Sequence, residues 1–374
     1  MKIIYCIAGL RHSGGMERVL TNKANYLVDK GMEVLIVTTD QYGENNFFAL
    51  SPKVRTVDLA INYEENNGKS IWNKIVHYPF KQYSHWKKLS KLLKNERAGI
   101  VISMFCNDVS FLWRIKDGSK KVLEIHFSRY KRLQYGRTGI WGLGDKLRSW
   151  MDLRTVCRYD RFVVLTKEDA GYWGNLPNIQ VIPNARTFCP ESSASLDYKR
   201  VIAVGRYDYQ KGFDDLIAAW KIVAQTHNEW KLDIFGNGQL KEVLNIQINE
   251  AGLRECVSLK PPVSHIGEEL LQSSLFAMSS RYEGLPMVLL ESQAYGLPIV
   301  SYACKCGPRD VITDGVDGFL VPEGDISGFA NKLLQLIEDS DLRKQMGYLA
   351  RKNSARFSEE KIMKQWLDLF RDLC

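Results

Sequence analysis

Short apolar runs of strand length alternate with longer amphipathic stretches along most of this chain. Lys2-Ile3-Ile4-Tyr5-Cys6-Ile7-Ala8, Glu33-Val34-Leu35-Ile36-Val37-Thr38, Ile100-Val101-Ile102-Ser103-Met104-Phe105 and Arg161-Phe162-Val163-Val164-Leu165 are apolar at consecutive positions rather than alternate ones. A strand reads that way when both faces are buried, as in a parallel sheet covered by crossover helices. The intervening stretches are long enough for such helices. One opens at Ser13-Gly14-Gly15 and carries Met16, Val19, Leu20, Ala24 and Leu27 at helical spacing.

The pattern restarts after residue 200 with Val201-Ile202-Ala203-Val204 and Leu232-Asp233-Ile234-Phe235. At 374 residues the chain exceeds a usual single core, so two α/β domains are expected. The polar stretch from Pro190 to Tyr198, with Ser192, Ser193 and Ser195, marks the expected boundary. That divides the chain into residues 1–190, residues 191–358 and a terminal helix over 359–374 with Ile362, Trp366, Leu367 and Phe370 on one face.

Candidate chemistry concentrates where strands run into helices. Glu283 and Glu291 are separated by seven residues around Gly284-Leu285-Pro286. Proline suits the first helical position because its missing N–H has no partner there anyway, so Glu283 precedes the helix and Glu291 lies more than a turn inside it. The amides near Met287 and Val288 then sit between the acids. Such amides at the positive end of a helix suit phosphate, while carboxylates accept hydrogen bonds from sugar hydroxyls. Val204-Gly205-Arg206 leads through Gln210-Lys211-Gly212 into another helix from about Phe213. There arginine supplies a planar fork and lysine a point charge for a diphosphate. His126 ends a predicted strand, Lys121-Val122-Leu123-Glu124-Ile125-His126, at the edge where open α/β sheets take ligands.

Competing motifs fail on spacing. No stretch fits Gly-x4-Gly-Lys-Ser/Thr. Gly236-Asn237-Gly238 follows a strand, but Lys241 stands where a dinucleotide fingerprint needs a third small residue.

In their order along the chain, these segments resemble the retaining glycosyltransferases of family 4, built on the two-domain GT-B fold with two Rossmann-like parallel sheets facing a central cleft. Gly14-Gly15-Met16-Glu17-Arg18 resembles that family's Gly-Gly-x-Glu-Arg loop, which implies that Gly14 and Gly15 lie beside the donor phosphates and the acceptor. The resemblance implies that Arg206 and Lys211 bind the diphosphate, Glu291 the ribose and Glu283 the sugar hydroxyls. It gives Gly284, Pro286, Met287 and Val288 to the donor pocket, with Gly236 lining it and the segment near Pro262-Val263 approaching the base. His126 would touch the sugar near the reacting carbon. Asn184 resembles a domain-junction motif, and Asp310 stands where the family often has glutamate. The final helix of such folds crosses back onto the first domain.

The resemblance therefore implies transfer of a sugar from a nucleoside diphosphate, most readily a UDP-linked hexose or N-acetylhexosamine, to a lipid-linked or growing saccharide of a cell-surface polysaccharide. Two alternatives are an isomerase of the nucleotide-sugar 2-epimerase type and a non-catalytic sugar-nucleotide or membrane-binding protein. Six scattered histidines count against the first and the intact Arg206, Lys211, Glu283 and Glu291 set against the second.

Charge sharpens the expected setting. Residues 1–190 hold 30 Lys and Arg against 17 Asp and Glu, net +13, and residues 191–374 hold 21 against 26, net −5, so the overall +8 is local to the first half. It gathers from Lys69 to Arg97, among Trp72, Tyr78, Phe80, Tyr83 and Trp86, and from Arg129 to Arg158 around Trp141 and Trp150. Basic stretches with interleaved aromatics suit an anionic membrane surface. No nucleic-acid-binding signature accompanies them. The eight cysteines lack CxxC pairs, which fits reduced thiols. Without a signal-peptide pattern or an apolar run of about 18 residues, the expected location is cytoplasmic, at the inner face of the membrane. Asp339-Ser340-Asp341 reads as a helix cap rather than a metal motif, so neither metal nor cofactor is expected.

Overall fold

The computed structural model describes residues 1–66, 71–131, 139–187, 189–263 and 265–374, apart from the side chains of residues 71–75, 140 and 141. The chain forms two compact units. The first comprises Met1–Leu165, Ala170–Ile182 and Ile362–Cys374, and the second Thr166–Asp169 and Pro183–Lys361.

In the first unit, strands β1 (Lys2–Cys6), β2 (Glu33–Thr38), β3 (Arg55–Asp58), β4 (Ile100–Ser103), β5 (Lys120–Glu124), β6 (Arg161–Val164) and β7 (Ile179–Val181) form one sheet. Their order is β3-β2-β1-β4-β5-β6-β7, and each neighbouring pair is parallel. Helices α1 (Gly15–Asp29), α2 (Ile71–Glu96) and α3 (Gly139–Val156) follow their strands, and α4 (Lys167–Trp173) begins in the second unit's segment Thr166–Asp169 and continues in the first from Ala170. Ile3, Ile4, Ile36, Val101 and Phe162 are fully buried, as consecutive apolar positions in a doubly covered sheet require.

The second unit repeats the plan with β8 (Arg200–Val204), β9 (Lys231–Phe235), β10 (Val257–Lys260), β11 (Leu275–Met278), β12 (Ile299–Tyr302) and β13 (Gly318–Val321). All pairs in the order β10-β9-β8-β11-β12-β13 are parallel. Its helices are α5 (Phe213–Val223), α6 (Lys241–Glu250), α7 (Ile266–Leu271), α8 (Met287–Ala294), α9 (Pro308–Val311), α10 (Ile326–Glu338) and α11 (Ser340–Ser354). Trp220, Phe329 and Leu333 fill one side of this sheet. Strand order reverses between β8 and β11, so the loops after these two strands open side by side, where open α/β sheets bind ligands.

The division falls between Ile182 and Pro183, ahead of the serine-containing stretch from which a boundary at residue 190 is expected. That stretch is mostly exposed but anchored within the second unit. Ala194 and Leu196 are buried, and Arg351 donates to the carbonyls of Pro190 and Glu191 at 2.9 and 2.8 Å. Serine content reports polarity, but small apolar residues between serines bury as readily as any others.

The last helix, α12 (Glu359–Leu373), is amphipathic, with Ile362, Met363, Trp366, Leu369, Phe370 and Leu373 buried. From Ile362 onward it belongs to the first unit, where Lys23 Nζ lies 3.7 Å from the Trp366 ring centre. Asp339 caps α11, accepting from the amides of Asp341 and Leu342 at 3.1 and 2.9 Å. Among the described residues, no helix is long and apolar enough to cross a membrane.

Candidate functional site

The loop after β8 is shaped by its glycines and by one cap. Asp208 accepts from the Lys211 amide at 3.3 Å and starts a single 3-10 turn, Tyr209–Lys211. Gly212 then takes φ 59° and opens α5. A Cβ there would strike the Ser279 carbonyl, so this left-handed position and the close approach of the two loops both require glycine.

Across the switch point, the loop after β11 carries Glu283. Its amide donates to the Lys305 carbonyl at 2.8 Å, and its carbonyl accepts from the Cys306 amide at 3.1 Å. Gly307, at φ 102°, lets this neighbouring loop lie against Gly284 and Pro286, where a Cβ would come 2.6 Å from Pro286 Cδ. Pro286 itself is the extended residue before α8, at φ −70° and ψ 110°, one position earlier than the first helical turn expected for it. Its ring fixes φ alone, and φ near −70° serves either position. No side chain caps α8. The first amides of any helix lack intrahelical acceptors, so those of Met287 and Val288 begin the run next to Glu283. Glu291, the fifth residue of α8, is buried at 5% exposure.

The two loops meet through their side chains. Lys211 Nζ lies 2.6 Å from Glu283 Oε1, with the lysine side chain 16% and the glutamate 9% exposed. Gln210 Nε2 donates to the Tyr282 carbonyl at 2.9 Å and to Glu283 Oε2 at 3.4 Å. Arg281 braces the turn from the other side, donating to the Tyr209 carbonyl at 2.8 Å and forking onto Asp214 at 3.0 and 2.7 Å. Arg206 stands apart with 74% of its side chain exposed, tethered to Asp208 at 3.2 Å. Lys211, Glu283, Arg206 and the start of α8 thus share one edge of one sheet. Sequence reading missed Gln210 and Arg281. Their signal was only polarity inside a turn, and their partners lie more than 60 positions away.

Other residues singled out from the sequence make local contacts. A Cβ on Gly236 would strike the Gly205 carbonyl, and one on Gly238 the Tyr207 carbonyl. This turn therefore supports the Arg206 loop by backbone contact, with the Tyr207 amide donating to the Asn237 carbonyl at 2.8 Å. Val263 is exposed beyond β10. Asn184 is buried just past the division of the chain. Asp310 accepts from the amides of Lys167 and Glu168 at 2.8 and 3.4 Å, which commits its carboxylate to the first turn of α4.

In the first unit, Gly14 precedes α1 in an extended conformation and Gly15 is its first residue. A Cβ on Gly14 would strike the Glu17 carboxylate. His126 lies two residues beyond β5, with Nε2 3.0 Å from Glu124 Oε1. Glu124 is also held by Lys23 at 2.6 and 2.8 Å. Burial alone would raise this carboxyl, but Lys23 and then His126 outweigh it and hold Glu124 down to about 2. Burial also raises Glu17, partly offset by His12 and His126, so it lies within electrostatic reach of the imidazole. Among the described residues, no group of three or more His, Cys, Asp or Glu is arranged to hold a metal ion.

A groove of about 740 Å³ in the first unit is lined by Tyr83, Trp86, Trp113, Arg114, Arg154 and Arg158 among others. Arg206, Lys211, Glu283 and Glu291 do not line it. Charge placement, not cavity size, identifies the edge at Lys211 and Glu283.

Comparison with known proteins matches residues 13–186 to Glycosyltransferase Family 4 and residues 186–353 to Glycosyl transferases group 1. The amylovoran biosynthesis glycosyltransferase AmsD of Erwinia amylovora is 38% identical over 221 residues, which is 56% of this chain and 62% of that protein. The chain therefore spans less than two thirds of that relative's length. A Campylobacter jejuni alpha-1,4-N-acetyl-D-galactosaminyltransferase, whose substrate is a GalNAc-bearing undecaprenol diphosphate, is 27% identical over 100% of this chain and 99% of its own. Among solved structures, an S. aureus TarM variant in complex with fondaparinux, alpha-GlcNAc-glycerol and UDP aligns with a TM-score of 0.81 at 18% identity, covering 99% of both chains. The two family matches abut at residue 186 and run from 13 to 353 on a pair of parallel sheets of GT-B type. The chain belongs to the family 4, group 1 glycosyltransferases.

Proposed function

We propose that this protein transfers a sugar with retention from a UDP-linked hexose or N-acetylhexosamine to a lipid-linked or growing saccharide in cell-surface polysaccharide synthesis, without a metal ion. The observation that carries this reading is the pairing of Lys211 with Glu283 beside the start of α8, with Arg206 exposed at the same edge. Two cations and a helix start suit a diphosphate leaving group, and the two acids suit sugar and ribose hydroxyls. UDP in the TarM complex and the undecaprenol-linked substrate of the Campylobacter relative support the donor and acceptor classes.

In this reading the bond from the anomeric carbon to the diphosphate oxygen breaks while the acceptor oxygen bonds to the same face. The acceptor proton passes to the departing phosphate. Arg206 and Lys211 stabilise the charge that develops on the diphosphate, Glu283 orients the sugar, Glu291 binds the ribose and His126 touches the sugar near the reacting carbon. Gly15, Gly236, Val263, Gly284, Pro286, Met287 and Val288 complete the donor contacts.

The reading includes attachment to an anionic membrane surface. On α3, Leu143, Leu147, Trp150 and Met151 are 47–70% exposed and share one helical stripe with Arg154, at i, i+4, i+7, i+8 and i+11. On α2, Val76, Phe80 and Tyr83 form a second exposed stripe. Both stripes converge on the arginine-lined groove through Tyr83 and Met151. Apolar stripes rimmed by arginine suit the headgroup region of a bilayer, where rings and aliphatic groups enter and cations stay at the surface. Lys69 and the side chains of Trp72 and Trp141 lie outside the described residues.

Thermal shift against UDP, GDP, ADP and a set of UDP-sugars in EDTA tests the donor assignment, since a ligand that binds only the folded state raises Tm. A shift with UDP and one UDP-sugar, lost in Arg206→Ala, supports it, and no shift with any nucleotide overturns it. Sugar transfer then requires an added acceptor, whereas an epimerase converts the donor alone and a binding protein does neither.

A further inference from the structure

Lys23, Glu124 and His126 form a buried charged cluster within the first unit. Glu124 is 1% exposed, Lys23 5% and the His126 side chain 7%. A buried ion pair gains little stability over apolar residues of similar size, because desolvating two charges offsets their attraction. Its presence directly behind a candidate functional imidazole calls for another reason. Lys23 engages both oxygens of Glu124, which pins the carboxylate plane. The indole of Trp366 covers the ammonium at 3.7 Å, so the returning α12 holds the lysine in place.

The carboxylate also decides what the imidazole offers. Its oxygen lies 3.0 Å from Nε2, although the pair is out of line for a hydrogen bond. A ring nitrogen facing a carboxylate carries the proton, and in the neutral ring the other nitrogen keeps its lone pair. Active-site contacts of this kind commonly come into line when substrate binds.

We propose that Lys23 and Glu124 are positioning residues for His126: they hold the proton on Nε2 and leave Nδ1 as the acceptor for a substrate hydroxyl, with Trp366 locking the lysine. This rests on the reading of His126 as a contact to the donor sugar.

The test compares wild type, His126→Ala, Glu124→Gln and the double variant Lys23→Met with Glu124→Gln, which leaves no unpaired buried charge if the single variant fails to fold. Nitrogen-15 NMR of the His126 ring, assigned by its absence in His126→Ala, reports the tautomer independently of activity. The Nε2–H form is expected in wild type and a mixture in the double variant. UDP release from UDP-glucose, UDP-galactose and their N-acetylamino forms gives the kinetic arm. Turnover in the double variant is expected to fall roughly 10- to 100-fold, the order seen when the groups that orient metal-bound histidines are removed, with KM for the donor nearly unchanged. An unchanged tautomer, or full turnover in a double variant of a protein that needs His126, overturns the positioning roles. Full turnover in His126→Ala would overturn the underlying reading instead, while the tautomer result still decides whether Glu124 orients the ring.

Discussion

Lys211 and Glu283, 72 positions apart in the chain, touch at 2.6 Å because β8 and β11 are neighbours at the point where the sheet order reverses. Each is largely buried, so removing one leaves the other's charge uncompensated. Lys211→Ala is expected to lower turnover about 100-fold or more, as for loss of a donor aimed at developing charge. It should also reduce Tm. The double variant Lys211→Met with Glu283→Gln should recover Tm but not turnover. Calorimetry with steady-state kinetics separates the two effects, and unchanged turnover in Lys211→Ala would remove this pair from the donor site.

Asp108, after β4, is 1% exposed, and burial pushes its carboxyl up to about 7. The folded state thus retains a proton that the unfolded chain releases from about pH 4 upward. Stability from this group is full below that pH and falls by about 1.4 kcal/mol per unit as pH rises toward 7. Asp108→Asn should therefore raise Tm at pH 8 and change it little at pH 4. A Tm gain that is the same at both values would contradict the linkage.

The α3 stripe gives a membrane prediction. Leu147→Glu with Met151→Glu places two anions on the exposed face without disturbing a buried position. Sedimentation with phosphatidylglycerol vesicles should show roughly 10-fold weaker binding than wild type, and high salt should weaken both. Equal binding would place any membrane contact elsewhere.

Gly212 tests the geometry that brings the loops after β8 and β11 together. Gly212→Ala meets both the positive φ and the Ser279 carbonyl. A loss of about 1–3 kcal/mol in urea unfolding is expected, of the size typical for strain at such positions. A neutral result would mean that the loops can separate at little cost.

Much of this was legible one residue at a time. Consecutive apolar runs announced buried parallel strands, and Gly205-Arg206 with Lys211-Gly212 announced a cationic strand-to-helix turn. Local chemistry also marked Asp339 as a cap. Partnership was not legible. Nothing near Asp310 in the sequence shows that its carboxylate accepts from the amides of Lys167 and Glu168. The Gly236-Asn237-Gly238 turn is likewise visible locally, but not that the backbone of Gly205 and Tyr207 lies against it.

The amino-acid sequence by itself determined the elements, their doubly covered parallel character and the types of charge at each strand end. Those follow from burial period and turn chemistry, which act over a few residues. Tertiary structure decided which strand ends are neighbours, and therefore that Lys211 meets Glu283 and that Trp366 of the last helix covers Lys23 of the first. Such pairings depend on which apolar faces find each other across long stretches of chain, and hydrophobic burial has no direction that a local pattern could record.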